Sequence, residues 1–152
     1  MKITFKNATS NDVERIFQLN SKLINDYEIS INFDFEKALN WVRRKIENNI
    51  EKYQCVYYED IKVGYFFLHD EGDKLELDDL FIFEEFQGKG IGTKVLEYVD
   101  LVAKEKNKDV FLYVFVKNQG AVNLYLRNGF EVIENIHDSR YIMNKHINDS
   151  SL

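Results

Sequence analysis

Three of the seven glycines in this chain fall within five residues, in Phe86-Gln87-Gly88-Lys89-Gly90-Ile91-Gly92-Thr93, between a strand-like run and a helical one. Glycine permits positive φ and lets a ligand approach the backbone closely. A helix starting directly behind such a loop offers unpaired N–H groups and the positive end of its dipole, and together these bind phosphate. The spacing narrows the ligand. A dinucleotide loop reads G-x-G-x-x-G, whereas Gly88, Gly90 and Gly92 read G-x-G-x-G. A nucleotide P-loop needs Ser or Thr after its Gly-Lys, and Lys89 is followed by Gly90. What remains is Gln-x-x-Gly-x-Gly, filled by Gln87, Gly90 and Gly92. The plainer alternative is a turn in which glycine only relieves strain.

Periodicity around the loop predicts an α/β chain with a mixed sheet. Residues 2–7 alternate as a strand. Asn11 with Glu14 resembles a capping box, and Val13, Ile16, Phe17, Asn20, Leu23 and Ile24 then recur at helical spacing to about residue 26. After a connection over 27–33, a second helix is expected over 34–49, with Trp41 packed near its middle. Runs at 53–58 and 61–68 should pair as a hairpin across Glu59-Asp60. A turn built on Gly72 leads to a strand over 75–83, and the glycine loop to a helix over 91–106. The continuously apolar run 110–116 suits a strand covered on both faces. A helix over 118–128, closed by Asn128-Gly129, and strands near 130–136 and 140–146 complete the order β-α-α-β-β-β-α-β-α-β-β. The expectation is one domain over 1–147 and a frayed tail over 148–152.

Composition removes several classes. The net charge of -6 argues against nucleic-acid binding, which needs a basic face, and mildly favours a cationic small substrate. No run of about 18 apolar residues suggests a membrane span, and the polar MKITFKNATS does not read as a signal peptide, so a cytoplasmic protein is expected. The lone Cys55, in a strand-like run, reads as a small buried hydrophobe rather than a nucleophile. His69, His137 and His146 lack metal-ligand spacing to one another, so no metal site is expected.

The glycine loop, with the strand before it, resembles the acetyl-CoA signature of the GNAT superfamily of N-acetyltransferases. Downstream, Asn118, Ala121 and Tyr125 followed by Gly129-Phe130 are similar to the family's N-x-x-A-x-x-x-Y…G-F segment. Two motifs in order are far more specific than one, and the element order matches from residue 2 to about 146. The resemblance implies the GNAT-like fold and an enzyme using acetyl-CoA as co-substrate. It implies that backbone N–H groups of Gln87, Gly88, Lys89, Gly90, Ile91, Gly92 and Thr93 cradle the pyrophosphate, with Lys89 adding attraction. The 75–83 strand would splay from the 110–116 strand, and the pantetheine arm would pair with the backbone of Leu80, Phe81 and Ile82 as an added strand. An N–H near Ile82 would polarise the thioester carbonyl. Asn118 would hold a pantetheine amide, and Tyr125 would protonate the leaving thiolate. Homodimers are common in the family, though no feature of this sequence demands one.

Acyl transfer to an amine requires that the ammonium, with a pKa of about 10.4, lose a proton. The candidate bases are Glu76, Asp78 and Asp79. Alternation puts Glu76 and Asp78 on one face and Asp79 on the other, and Asp78, on the side of Leu80 and Ile82, is the first choice. Two adjacent acids in a central strand suggest a polar cleft. By resemblance, segments 25–33 and 134–140 line the acceptor cleft. Their Asp26, Tyr27, Glu28, Phe33, Glu134 and Asp138 suit a cationic amine of a small molecule or peptide. The competing readings are a non-catalytic acyl-CoA-binding sensor and a binding protein for a different nucleotide. Without the glycine loop, Asn118 would read as a helix N-cap and Tyr125 as a core aromatic.

Overall fold

The computed structural model describes residues 2–147; the tail expected to fray lies outside the described residues. The elements are β1 (Ile3–Asn7), α1 (Val13–Tyr27), α2 (Phe35–Asn49), β2 (Gln54–Tyr58), β3 (Ile61–Asp70), β4 (Leu75–Ile82), α3 (Ile91–Lys106), β5 (Val110–Phe115), α4 (Gln119–Arg127), β6 (Glu131–Ile136) and β7 (Arg140–Lys145). They form the expected mixed α/β order. Seven strands make one sheet in the order β1-β2-β3-β4-β5-β7-β6. Among the described residues only β4 and β5 run parallel, and α3 is their crossover.

Each face of the sheet carries its own apolar cluster. Ile16, Ile24, Val42 and Ile46, from the inward stripes of α1 and α2, pack on Tyr53, Tyr65, Phe67 and Phe115. Val95, Leu96 and Val99 of α3 and Val122 and Tyr125 of α4 pack on Phe66, Leu75, Leu77, Val110, Leu112 and Met143. Cys55 is buried in the first cluster, and burial pushes its thiol up to about 11, as befits an inert small hydrophobe.

Local chemistry departs from the sequence expectation at the first helix. The capping box belongs to Thr9 and Asp12, which close a 3-10 turn over Ser10–Asp12 ahead of α1. Thr9 Oγ1 accepts from Asn11 N, and Thr9 N donates to Asp12 Oδ2 at 2.9 Å. Asp12 also accepts from Lys62 and Tyr65, an interior role that Asn11 and Glu14 do not have. In the glycine-free β2–β3 turn, Glu59 takes φ 59 itself.

Close approach sets the path of β4. Gly64 of β3 lies opposite Ile82, and a Cβ at Gly64 would stand 2.0 Å from the Phe81 carbonyl oxygen. Gly64→Ala must therefore push β4 aside. It is expected to destabilise the fold by about 1–3 kcal/mol in urea denaturation. An unchanged midpoint would contradict this account of the β3–β4 contact.

Candidate active site

The glycine loop has the backbone geometry that the sequence leads one to expect of an anion site. Gly88 and Gly90 sit at φ 75 and φ 83, in the left-handed region. Gly90 caps α3, and no side chain bonds the helix's first N–H groups. The first-turn amides are thus left to a ligand at the positive end of the dipole. Gln87 Nε2 donates to the Ile82 carbonyl at 2.9 Å and ties the loop to the end of β4. Buried Ile91 anchors the helix start. A Cβ at Gly92 would meet Leu124 Cδ2 at 3.1 Å, so this glycine lets α3 approach α4. Lys89 is exposed beside the cradle.

Next to the cradle the sheet opens. β4 and β5 share only Leu75–Val110 and Glu76–Phe111 before they part. From Leu77 onward the β5-facing edge of β4, including Leu80, Phe81 and Ile82, has no strand partner. An unpaired backbone edge accepts an extended chain as an added strand. The opening belongs to a cavity of about 1110 Å³ lined by Leu80, Phe81, Asn118, Ala121 and Tyr125, together with the acids of β4.

Both downstream motif residues reach this cavity. Asn118 is the N-cap of α4, its side chain accepting from Ala121 N at 3.3 Å, which leaves the Nδ2 amide to donate elsewhere. Tyr125 is 8% exposed and meets Phe130 edge-on at 5.6 Å. Burial, and secondarily the charge of Asp79, pushes its phenol well above the ordinary tyrosine range, so it stays protonated. The helix cap and the core aromatic are therefore compatible with site roles.

The acids of β4 are arranged differently from the alternation. Phe67 faces Asp79, whereas Leu68 faces Leu77, so β4 carries one extra residue, a β-bulge at Asp78. The extra residue resets the parity. Leu80 and Ile82 join Leu75 and Leu77 on the α3 side. Asp78 and Asp79 both turn to α2, where Lys45 Nζ donates to Asp78 Oδ1 at 2.9 Å and Asp79 Oδ2 at 3.3 Å. The placement of Asp78 with Leu80 and Ile82, and of Asp79 opposite Asp78, is thus corrected. Tyr53 also donates its hydroxyl to Asp79 Oδ2. Burial pushes the Asp79 carboxyl up, while its two acidic partners hold Lys45 charged despite burial.

Glu76 is the acid left without a short hydrogen bond. His69, its ring tilted against Phe67 at 4.7 Å, shares a 3.1 Å hydrogen bond with Asp78 through Nε2. The same nitrogen lies 3.5 Å from Glu76, and Nδ1 lies 3.5 Å from Glu71. Among the described residues, these His69, Glu71 and Glu76 ligand atoms lie within 4.8 Å of one another, but the imidazole stands between the two glutamates. Burial first, and then the charge of Asp78, pushes the Glu76 carboxyl up to about 7.

Lys45, His69 and Trp41 were not legible as site residues. Trp41, expected to pack, is 58% exposed and lines the cavity with Lys45, one turn along α2. That stripe lies beside the buried Val42 and Ile46 stripe, and an apolar residue type alone did not reveal it. The expected acceptor acids lie elsewhere. Asp26 pairs with Lys22, Glu28 accepts from Ser139 Oγ at 2.7 Å, and Asp138 bonds within its own turn. The Glu28–Ser139 bond does join the two expected segments.

Fold and site together set a helix start with uncapped amides and an unpaired strand edge beside a cavity. The chain matches the acetyltransferase (GNAT) family over residues 16–130 and belongs to that family. It is 38% identical over 86 residues to the spermine/spermidine N(1)-acetyltransferase of Bacillus subtilis (strain 168), covering 50% of this chain and 57% of that protein. The chain thus spans little more than half the length of that relative. The PaiA N-acetyltransferase of Thermoplasma acidophilum, in complex with coenzyme A, superposes with a TM-score of 0.72 at 22% identity, covering 96% of this chain and 99% of that one. YncA of Salmonella typhimurium, a putative acetyltransferase with its cofactor acetyl-CoA, gives a TM-score of 0.66 at 16% identity over 100% and 98% of the two chains. Both likenesses are of fold. No helix among the described residues is long and apolar enough to cross a membrane.

Proposed function

We propose that this chain is an N-acetyltransferase that moves an acetyl group from acetyl-CoA to the primary amine of a small cationic molecule or peptide. The observation that carries the reading is the β4–β5 gap, which opens from the uncapped α3 start into a cavity holding both Tyr125 and Glu76. The residues fit acetyl-CoA. Amides from Gln87 to Thr93 would take the pyrophosphate, the Leu80–Ile82 edge the pantetheine backbone, and Asn118 Nδ2 one of its amides. When bound, acetyl-CoA supplies an activated acyl thioester.

The chain's own groups then handle protons. Glu76 takes the ammonium proton, so the neutral amine attacks directly and no covalent enzyme intermediate is needed. A base with a pKa near the working pH suits that task. We prefer Glu76 to Asp78 because Lys45 and His69 already engage the Asp78 carboxylate. An N–H near Ile82 stabilises negative charge on the carbonyl oxygen. Tyr125 gives its phenolic proton to the departing thiolate and is reprotonated with the second proton that the attacking nitrogen sheds as the amide forms. Glu71, Glu76 and Asp78, which line the cavity with exposed Trp41, favour a cationic acceptor, which an aromatic face also attracts. The Bacillus relative, named for spermine and spermidine, supports an amine acceptor.

Free-thiol release from acetyl-CoA, followed across polyamines, amino acids and peptide amines, tests this reading. Amine-dependent release is expected with at least one class. Stoichiometric acetyl-CoA binding without release for any amine would instead support the sensor.

A further inference from the structure

A lysine ammonium stands where β4 leaves β5. Lys45 comes from the middle of α2, outside both glycine-loop and α4 motifs, and its side chain is only 12% exposed. Its Nζ bonds the carboxylates of both bulge residues, Asp78 and Asp79. Tyr53 holds Asp79 and His69 holds Asp78 from the other sides. Three side chains thus converge on two neighbouring carboxylates at the bulge. Two adjacent, largely buried acids with no cation between them would repel each other and resist desolvation. The bulge also sets the parity of the strand beyond it, and hence where the Leu80–Ile82 backbone points.

We propose that Lys45 is a positioning residue for acetyl transfer: by clamping Asp78 and Asp79 it fixes the β4 bulge and leaves Glu76 to meet the acceptor amine. The inference rests on the reading of Glu76 as the base. The groups facing Glu76 are Asp78 and Glu71, which disfavour its ionised form, and His69 and Lys45, which favour it. Removing the Lys45 charge therefore has a signature beyond lost stability. The pH at which kcat/KM begins to fall on the acid side must move upward.

The test compares wild type, Glu76→Gln, Lys45→Met and Lys45→Arg in kcat, KM and pH profile, with thermal melts to verify folding. Lys45→Met is expected to lower kcat by about ten-fold or more, as small misplacements of reacting groups do. Its acid limb should move to higher pH, and Lys45→Arg should restore most of the rate and the original limb. Should Lys45→Met not fold, Lys45→Gln, which keeps a donor but no charge, replaces it with the same expected shift. A folded, uncharged variant with wild-type kcat and an unmoved limb would overturn the proposal. So would a Lys45→Arg enzyme no better than the uncharged one. A wild-type profile without a limb, or one that Glu76→Gln leaves intact, would sink the base reading and this inference with it. A limb that Glu76→Gln abolishes but Lys45 variants leave in place overturns only the role of Lys45.

Discussion

Glu76→Gln is expected to lower kcat/KM by about 10²- to 10⁴-fold at neutral pH, the span typical of a lost general base. It should also remove the acid limb of the pH profile. The direction follows from the carboxyl being pushed up to about 7 by burial and by Asp78. The base works only when ionised, so kcat/KM in the wild type rises as pH rises through about 7. Stability runs the other way. A carboxyl raised from 4.5 to about 7 on folding contributes stability that is fully present below 4.5 and lost as pH rises through 7. Glutamine never ionises, so the variant should melt no lower than wild type at pH 8. A pH–rate profile and thermal melts measure both consequences. A profile that keeps its limb in Glu76→Gln would show that another group is the base.

Tyr125→Phe should lower kcat by about 10²-fold, near the low end for a lost general acid, because a thiol of pKa about 8.5 already leaves fairly well. Acetyl-CoA affinity should stay close to wild type. The ring keeps its edge-on contact with Phe130, and the α4 start with Asn118 is untouched. Because burial raises the phenol well above its ordinary range, wild-type activity should show no alkaline fall from this group at moderate pH. Steady-state kinetics beside a binding titration separate the two effects. Unchanged kcat would remove Tyr125 from the chemistry and return it to the core as a packing aromatic.

The cofactor side of this site was legible because its signals are local. The glycines at a helix start are read from spacing and the Asn118–Tyr125 pair from the family resemblance; Gly88 and Gly90 take left-handed φ ahead of α3, and Asn118 and Tyr125 line the cavity. The acceptor side was not, because its residues converge through the fold. A count of alternating positions presumes no inserted residue, so the Asp78 bulge inverted the facing of everything beyond it. Lys45 and Trp41 sit among polar and apolar neighbours on α2 with no pattern to mark them, and His69 lies in the two residues by which β3 outruns its apolar run. The first helix shows a smaller version of the same limit. Asn11 and Glu14 have the spacing of a capping box, but Thr9 and Asp12 win because Asp12 also satisfies Lys62 and Tyr65.

Calorimetric titration of acetyl-CoA into wild type and Gly90→Glu, with ATP as a control, tests the central claim most directly. Gly90 holds φ 83 at the uncapped start of α3, so glutamate there meets backbone strain and sets a carboxylate against the incoming phosphates. The account predicts saturable binding of acetyl-CoA by wild type, little for ATP, and none by folded Gly90→Glu. Absence of binding to folded wild type, or binding that Gly90→Glu leaves unchanged, would contradict it.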